Sequence, residues 1–541
     1  MEKNRTNKLV NIKFIFVIII LTNLSNAQTG IFFNVKDYGA KGDGVTLDTE
    51  AIRKAVADCA VKGGTVLFPP GKYLTGSVDL VSNVDLYIQR GATLLGSTNI
   101  KDYEERVPEL KSYNDYFLKH SMFYAEKAEN ISIRGEGTID GQGASYIITT
   151  NKKPDRYFNR PFIIRFVECN NVKIEGITLR NSAMWMQQYL ACENLFIHGI
   201  KVYNHANKNN DMIDIDGCKN VVMSDCIGDT DDDALTLKST SERITENVTI
   251  TNCVLSSHCN AIKMGTESTG GFRNVTISNI VVKPSDSPTK IYGEHKGISG
   301  ITLGMVDGGI LEGVTISNIR IEGTEVPLYM RLGNRGRKHH PDADQPGIGI
   351  FKDVNISDVI ATNVESNIGA SIMGIPSHKI QNVTLNNITI EYPGGGTKED
   401  AVREIPEQED GYPEGTRWGT LTSYGFYIRH VDNITLNNIE LRLAAEDVRP
   451  AIVVEDVNDI QLNGIRAESD FDAEAIFKFI ESQRITISNF RSLSKAGTFV
   501  SLNGADTKEV ILLNNNLHNI ESVTKLNGVD LEEVKMGGNI K

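Results

Sequence analysis

Residues 225–238 read DCIGDTDDDALTLK, and five of these fourteen side chains are aspartates. Carboxylates this close repel one another when ionised, so at least one must hold its proton above the ordinary carboxylate range. A second acidic stretch, NNDMIDID, spans 209–216, and Asp211 stands 21 residues ahead of Asp232. A proton donor beside ionised carboxylates is what hydrolysis of a glycosidic bond requires: an acid for the leaving oxygen and a base for water. Asp211, Asp232 and Asp233 form the trio with that capacity. Asp211 and Asp232 lie side by side if the chain winds once round a coil between them. Asp233 joins them only where the chain bends, because neighbours on a strand point to opposite faces. Gly228 and the aspartate cluster stand where such a turn fits. Other uses of the acidic residues stay open at this point. Asp214, Asp216, Asp225 and Asp229 suit turn caps. Asp229, Asp231 and Asp233 offer oxygen ligands to calcium, without the glycine and distal glutamate of the helix–loop–helix calcium motif. The trio also suits a solvated acidic face.

The coil is itself written in the sequence. Asn, a β-branched residue, a polar residue and an apolar residue recur as NVKIEG, NLFIHG, NVVMSD, NVTITN and NVTISN, starting at 171, 194, 220, 247 and 274. A period of this length means a repeat architecture, and β-branched residues at period two with turn residues after them mean strands. The predicted fold is all-β, a single right-handed parallel β-helix. The N-x-T triplets at 247, 274, 382 and 433 follow from the same strand pattern and carry no weight as glycan sites. TEAIRKAVADCAVKGG at 49–64 alone has helical spacing, and it is predicted to cap the open N-terminal end of the solenoid. Strand-like repeats continue to about 500–541 with no site residues.

Lys3, Arg5, Lys8 and Lys13, the apolar run FIFVIIIL and the small residues before Gln28 read as a cleavable export segment over 1–27. The expected mature chain, 28–541, is one catalytic domain with its cap at about 33–70, secreted or periplasmic, monomeric and without membrane insertion. A formal net charge of −13 argues against nucleic acid as partner. An acidic polymer needs a local basic patch against that average. The seven cysteines include Cys169, Cys192 and Cys218, each just ahead of a repeat start, and Cys226 and Cys253, each six residues after one. This placement favours inward ladders of free thiols over a disulfide framework.

FNVKDYGAKGDGVTLDTEAIRKAV, GGTVLFPPGKYLTGSVDLVSNVDLYIQRGATLLGS and GEGTIDGQG resemble the N-terminal coils of glycoside hydrolase family 28, the polygalacturonase family. NND at 209–211 is similar to that family's Asn-Thr-Asp motif, and DDD at 231–233 to its Gly/Gln-Asp-Asp motif. The likeness covers roughly residues 33–500. It implies Asp232 as general acid, Asp211 and Asp233 as activators of water, inversion at the anomeric carbon, a polysaccharide substrate, and neither cofactor nor metal. Two motifs depart from the pattern. Asn260 stands where the family has the histidine of Gly-His-Gly, with His258 two residues earlier as a candidate replacement. Thr302 and Gly304 in GITLG stand where the family has the basic residues of Arg-Ile-Lys. Candidates to bind substrate in their stead are Asn210, His258, Asn260, Lys263, Arg331, Arg335 and the RGRKHH run at 335–340, with Arg331 favoured by its strand spacing. Insertions at 112–125, 149–161 and 393–419 are expected to narrow the cleft and favour attack at a chain end. Trp185, Tyr189 and Trp418 suit either sugar stacking or core packing.

The expected activity is thus hydrolysis of a pectic or related uronic-acid-containing polysaccharide. A calcium-dependent lyase is the alternative enzyme, disfavoured because no basic residue is evident beside the trio. A non-catalytic carbohydrate-binding β-helix is the alternative outside enzymes.

Overall fold

The computed structural model describes residues 31–541, so the export segment read at 1–27 lies outside the described residues. Among the described residues thirty-nine strands form one continuous hydrogen-bonded system in which successive coils pair in parallel. The architecture is the right-handed β-helix.

The repeat read from the sequence is the register of this solenoid. Val172, Leu195, Val221, Val248, Val275 and Val314 stand directly above one another on six consecutive coils, and all are buried. The asparagine that opens each unit has its own cause. Asn171, Asn194, Asn220, Asn247 and Asn274 have φ between 53° and 57°, a left-handed conformation that asparagine tolerates better than most residues. The amides of Asn220, Asn247 and Asn274 each donate to the asparagine one coil before, at 3.1–3.2 Å. Asn247→Ala is therefore expected to cost about 1–2 kcal/mol in chemical denaturation. Asn247→Gly, which has no Cβ to strain, is expected to cost less.

All seven cysteines are free and buried. Cys169, Cys192 and Cys218 follow one another up the interior, each carbonyl accepting from the strand of the next coil. The helix Thr49–Lys62 buries Ile52, Ala55, Val56 and Cys59 against the first coils and ends at Gly63. At the other end the strand Val534–Gly537 pairs with Val510–Leu513.

One strand stack positions the site. It runs through Gln187–Leu190, Ile213–Asp216, Leu235–Ser239, Asn260–Ser268, Ser299–Met305 and Val326–Leu332. Alternation sends Tyr189, Ile215, Leu237, Met264, Leu303 and Met330 inward. The residues between them carry the polar groups: Gln188, Asp214, Thr236, Lys263 and Thr302 are in register on the outer face. They are nonetheless buried, because the inserted segments fold over this face. Arg165 anchors the first insertion, pairing with Asp115 at 2.6 Å and donating to the Leu118 carbonyl.

Candidate active site

The covered face forms a cavity of about 420 Å³ that Asp211, Asp232 and Asp233 line together. The bend needed to bring in Asp233 is present: residues 231–233 interrupt the strand between Ile227–Thr230 and Leu235–Ser239. Thr230 Oγ1 and Ser257 Oγ hold it by donating to the Asp232 carbonyl at 2.8 and 2.6 Å. Asp232 and Asp233 consequently both face the cavity, although they are adjacent.

Their environments differ. Burial, then the neighbouring Asp233 charge, raises Asp232 to about 6; its contacts are an amide from Asn209 at 3.4 Å and the Asp233 backbone N–H at 3.0 Å. Asp233 accepts from Lys263 Nζ at 2.7 Å and from the Asn260 side-chain amide at 2.7 Å. Asp211 lies 3.7 Å from Lys238 Nζ, which also stands 3.4 Å from Asp214 and 3.5 Å from Glu267. Burial raises Asp211 and Asp214 well above the usual range, and Asp214 adds to the rise at Asp211. Two buried carboxylates leaning on one ammonium titrate as a pair. Burial disfavours the charge on Lys238 and Lys263, but the surrounding carboxylates, Asp214 foremost for Lys238 and Asp233 for Lys263, outweigh it and raise both lysines well above their ordinary value.

The insertions supply the cavity walls, as the sequence led us to expect. Tyr113 and Phe117 come from the first, Lys153, Arg156 and Tyr157 from the second, and Tyr412 and Glu414 from the third. Tyr292 and Gly293 come from a fourth segment, 284–298, and Arg335 and Arg337 from a fifth. The third insertion also explains the missing basic motif. A Cβ on Gly304 would meet Pro413 Cγ of that insertion in ordinary contact at 3.4 Å, so the insertion packs over the position from which a basic side chain would project. Thr302 is turned to Asn260, 3.2 Å away.

Several sequence expectations need correction. Arg331 does not reach the cavity: it donates to the carbonyls of Gly374, Glu407 and Gln408 and lies over the Trp418 ring, clamping the third insertion in place. Besides Lys238 and the expected Lys263, the cavity cations are Arg335 and Arg337 of the basic run, with Lys153 and Arg156. Asn210 is interior, bridging the carbonyls of Ser182 and Met184 and the Asn207 N–H, while Asn209 faces the cavity. His258 is neither a surface residue nor a cavity residue. It is fully buried behind the bend, with Nδ1 3.0 Å from Asp231 Oδ1. Asn260 acts on Asp233 from beneath and does not line the cavity. Asp214 sits in a strand and caps no turn, whereas Asp216, at the end of the same strand, accepts the Thr240 backbone N–H at 2.8 Å where the next coil turns. Asp225 is at a corner, with φ 59°, whereas Asp229 is a strand residue bound to His205 at 2.9 Å. The calcium set is not assembled, since Asp229 and Asp231 bind histidines and Asp233 binds Lys263. Tyr189 is core and Trp418 packs on Tyr329. Trp185 lines the cavity while also packing on Phe162.

Lys238, Glu267, Tyr412 and Glu414 escaped the sequence reading. Lys238 closes the very stretch DTDDDALTLK, and alternation from Leu235 and Leu237 places it on the outer face. Its presence, with Lys263, removes the argument that no basic residue lies beside the trio. Both lysines are ion-paired and held protonated, which unfits them as bases for elimination.

The model for glycosyl hydrolases family 28 matches residues 62–410. A probable polygalacturonase from Vitis vinifera is 28% identical over 367 residues, covering 65% of this chain and 73% of its own. An exo-poly-alpha-D-galacturonosidase from Dickeya chrysanthemi is 28% identical over 249 residues, covering 37% of this chain and 41% of its own. The crystal structure of an exopolygalacturonase from Thermotoga maritima shares the fold, with a TM-score of 0.57 and 19% identity over 76% of this chain and 92% of that one. With the matched segment spanning both arms of the aspartate trio and most of the insertions that enclose it, the chain belongs to glycosyl hydrolases family 28.

Proposed function

We propose that the protein hydrolyses glycosidic bonds of a pectic, uronic-acid-containing polysaccharide with inversion, removing units from a chain end. Asp232 protonates the leaving oxygen, Asp233, paired with Lys263, deprotonates the attacking water, and Asp211 helps to orient it. The observation that carries this reading is the trio lining one cavity together with six basic side chains, in a chain of net charge −13. Arg335 and Arg337 are matched by Asp307 and Glu267, while Lys153 and Arg156 have no carboxylate partner among the described residues. A substrate carboxylate fits there. Walls built from five segments favour a chain end over the middle of a polymer. Among the described residues no helix is long and apolar enough to cross a membrane; export, by secretion or to the periplasm, and a monomeric state belong to this proposal.

The test is a screen of purified protein against pectic and other acidic polysaccharides with products sized. Monomers alone support end attack, and a ladder of oligomers refutes it. The pH profile tests the acid. Asp232 must carry its proton to act, so kcat/KM is expected to fall as pH rises through about 6. Lys238 holds that value down, so Lys238→Met should move the alkaline limb to higher pH. A limb that stays in place would take the acid role from Asp232.

A further inference from the structure

Behind the catalytic bend lies a second cluster that hydrolysis does not use. Asn204, Thr230 and Ser257 are in register on three successive coils. The residues that follow them, His205, Asp231 and His258, are therefore stacked at one corner of the solenoid. One ring nitrogen from each histidine and one oxygen of Asp231 lie within 4.8 Å of one another. The histidine side chains are 2% and 0% exposed, and Asp231 is fully buried. His205 Nδ1 and His258 Nε2 are buried without any hydrogen-bond partner, a costly arrangement for polar atoms. The corner also has the outer contacts usual around a metal ligand. Asp229 accepts from His205 Nε2 at 2.9 Å, and the backbone N–H groups of Ile291 and Tyr292 bind Asp231 at 2.6 and 2.8 Å. His295, on the solvent side, packs edge-on against His258.

We propose that His205, Asp231 and His258 bind a divalent transition cation of the zinc class as a structural clip. Two imidazoles and a carboxylate suit such an ion, and its charge would compensate Asp229 and Asp231 together. The clip fixes the corner to which Asp231 ties the 284–298 segment, and with it the cavity wall at Tyr292 and Gly293. It takes no part in the hydrolysis. The competing arrangement is a protonated His205 shared between Asp229 and Asp231, which needs no cation.

The experiment uses tag-free protein equilibrated with zinc chloride, dialysed, and assayed by elemental analysis and thermal melting. About one zinc per chain is expected, with a melting temperature that rises in zinc and falls back in EDTA. His205→Gln and His258→Gln should lose both effects, whereas a variant of the half-buried pair His339 and His340 should keep them. Cobalt(II) added to the wild-type chain should give the visible absorption of a nitrogen-ligated low-coordinate site, a readout independent of how the variants fold. Sub-stoichiometric zinc with no cobalt spectrum, or zinc binding lost only with His339 and His340, overturns the proposal.

Discussion

Asp232→Asn is expected to lower kcat/KM on a pectic oligosaccharide by about 10²–10⁴-fold, the range supplied by a positioned general acid. The amide keeps the shape of the side chain and cannot give up a proton to the leaving oxygen. Folding should not suffer. Burial and the Asp233 charge oppose ionisation of Asp232, so the neutral amide removes a repulsion and leaves its neighbours paired. Reducing-end release and a thermal melt on the same sample separate the two effects. Near-wild-type release from this variant would leave a binding protein as the better description of the chain.

Lys263→Met carries the second large effect, on stability as well as on rate. Lys263 Nζ lies 2.7 Å from Asp233, and both side chains are almost wholly buried, at 5% and 4% exposure. Removing the cation strands a carboxylate that still receives the Asn260 amide but has lost its counter-charge. Breaking a buried pair from one side typically costs about 3–5 kcal/mol, to be read from denaturant midpoints. Replacing both partners, in Lys263→Met with Asp233→Asn, should recover much of that stability because no buried charge is left unmatched. Activity should not recover, because the base is gone. A double variant no more stable than the single one would show that Lys263 acts through packing rather than through Asp233.

The solenoid could be read from the sequence because each coil repeats the demands of the one below. A valine stacks on a valine, and an asparagine in the left-handed conformation donates to another asparagine, so the pattern survives as text. Asp211 and Asp232 were legible for the same reason, being one coil apart. The covering insertions were visible as interruptions of the period. Residues whose partners lie far along the chain were not legible. Arg331 has the spacing of an outward strand residue, yet its acceptors are carbonyls at 374, 407 and 408. Nothing in the repeat announces that the third insertion folds onto it. His258 resembles a displaced site histidine because two residues on a strand share a face. The bend at 231–233 breaks that rule locally and puts Asp231, with its histidines, on the far side from Asp232. Cavity cations such as Lys153, Arg156, Arg335 and Arg337 likewise lie outside the repeat, on inserted segments where periodicity says nothing.

The most direct measurement is the anomeric configuration of the first product, followed by proton NMR during digestion of an α-linked oligogalacturonate. An acid at Asp232 acting opposite a water held by Asp211 and Asp233 predicts that the β-anomer of a free monosaccharide appears first and mutarotates afterwards. Early appearance of the α-anomer, or of an unsaturated product that absorbs in the ultraviolet, would contradict the account.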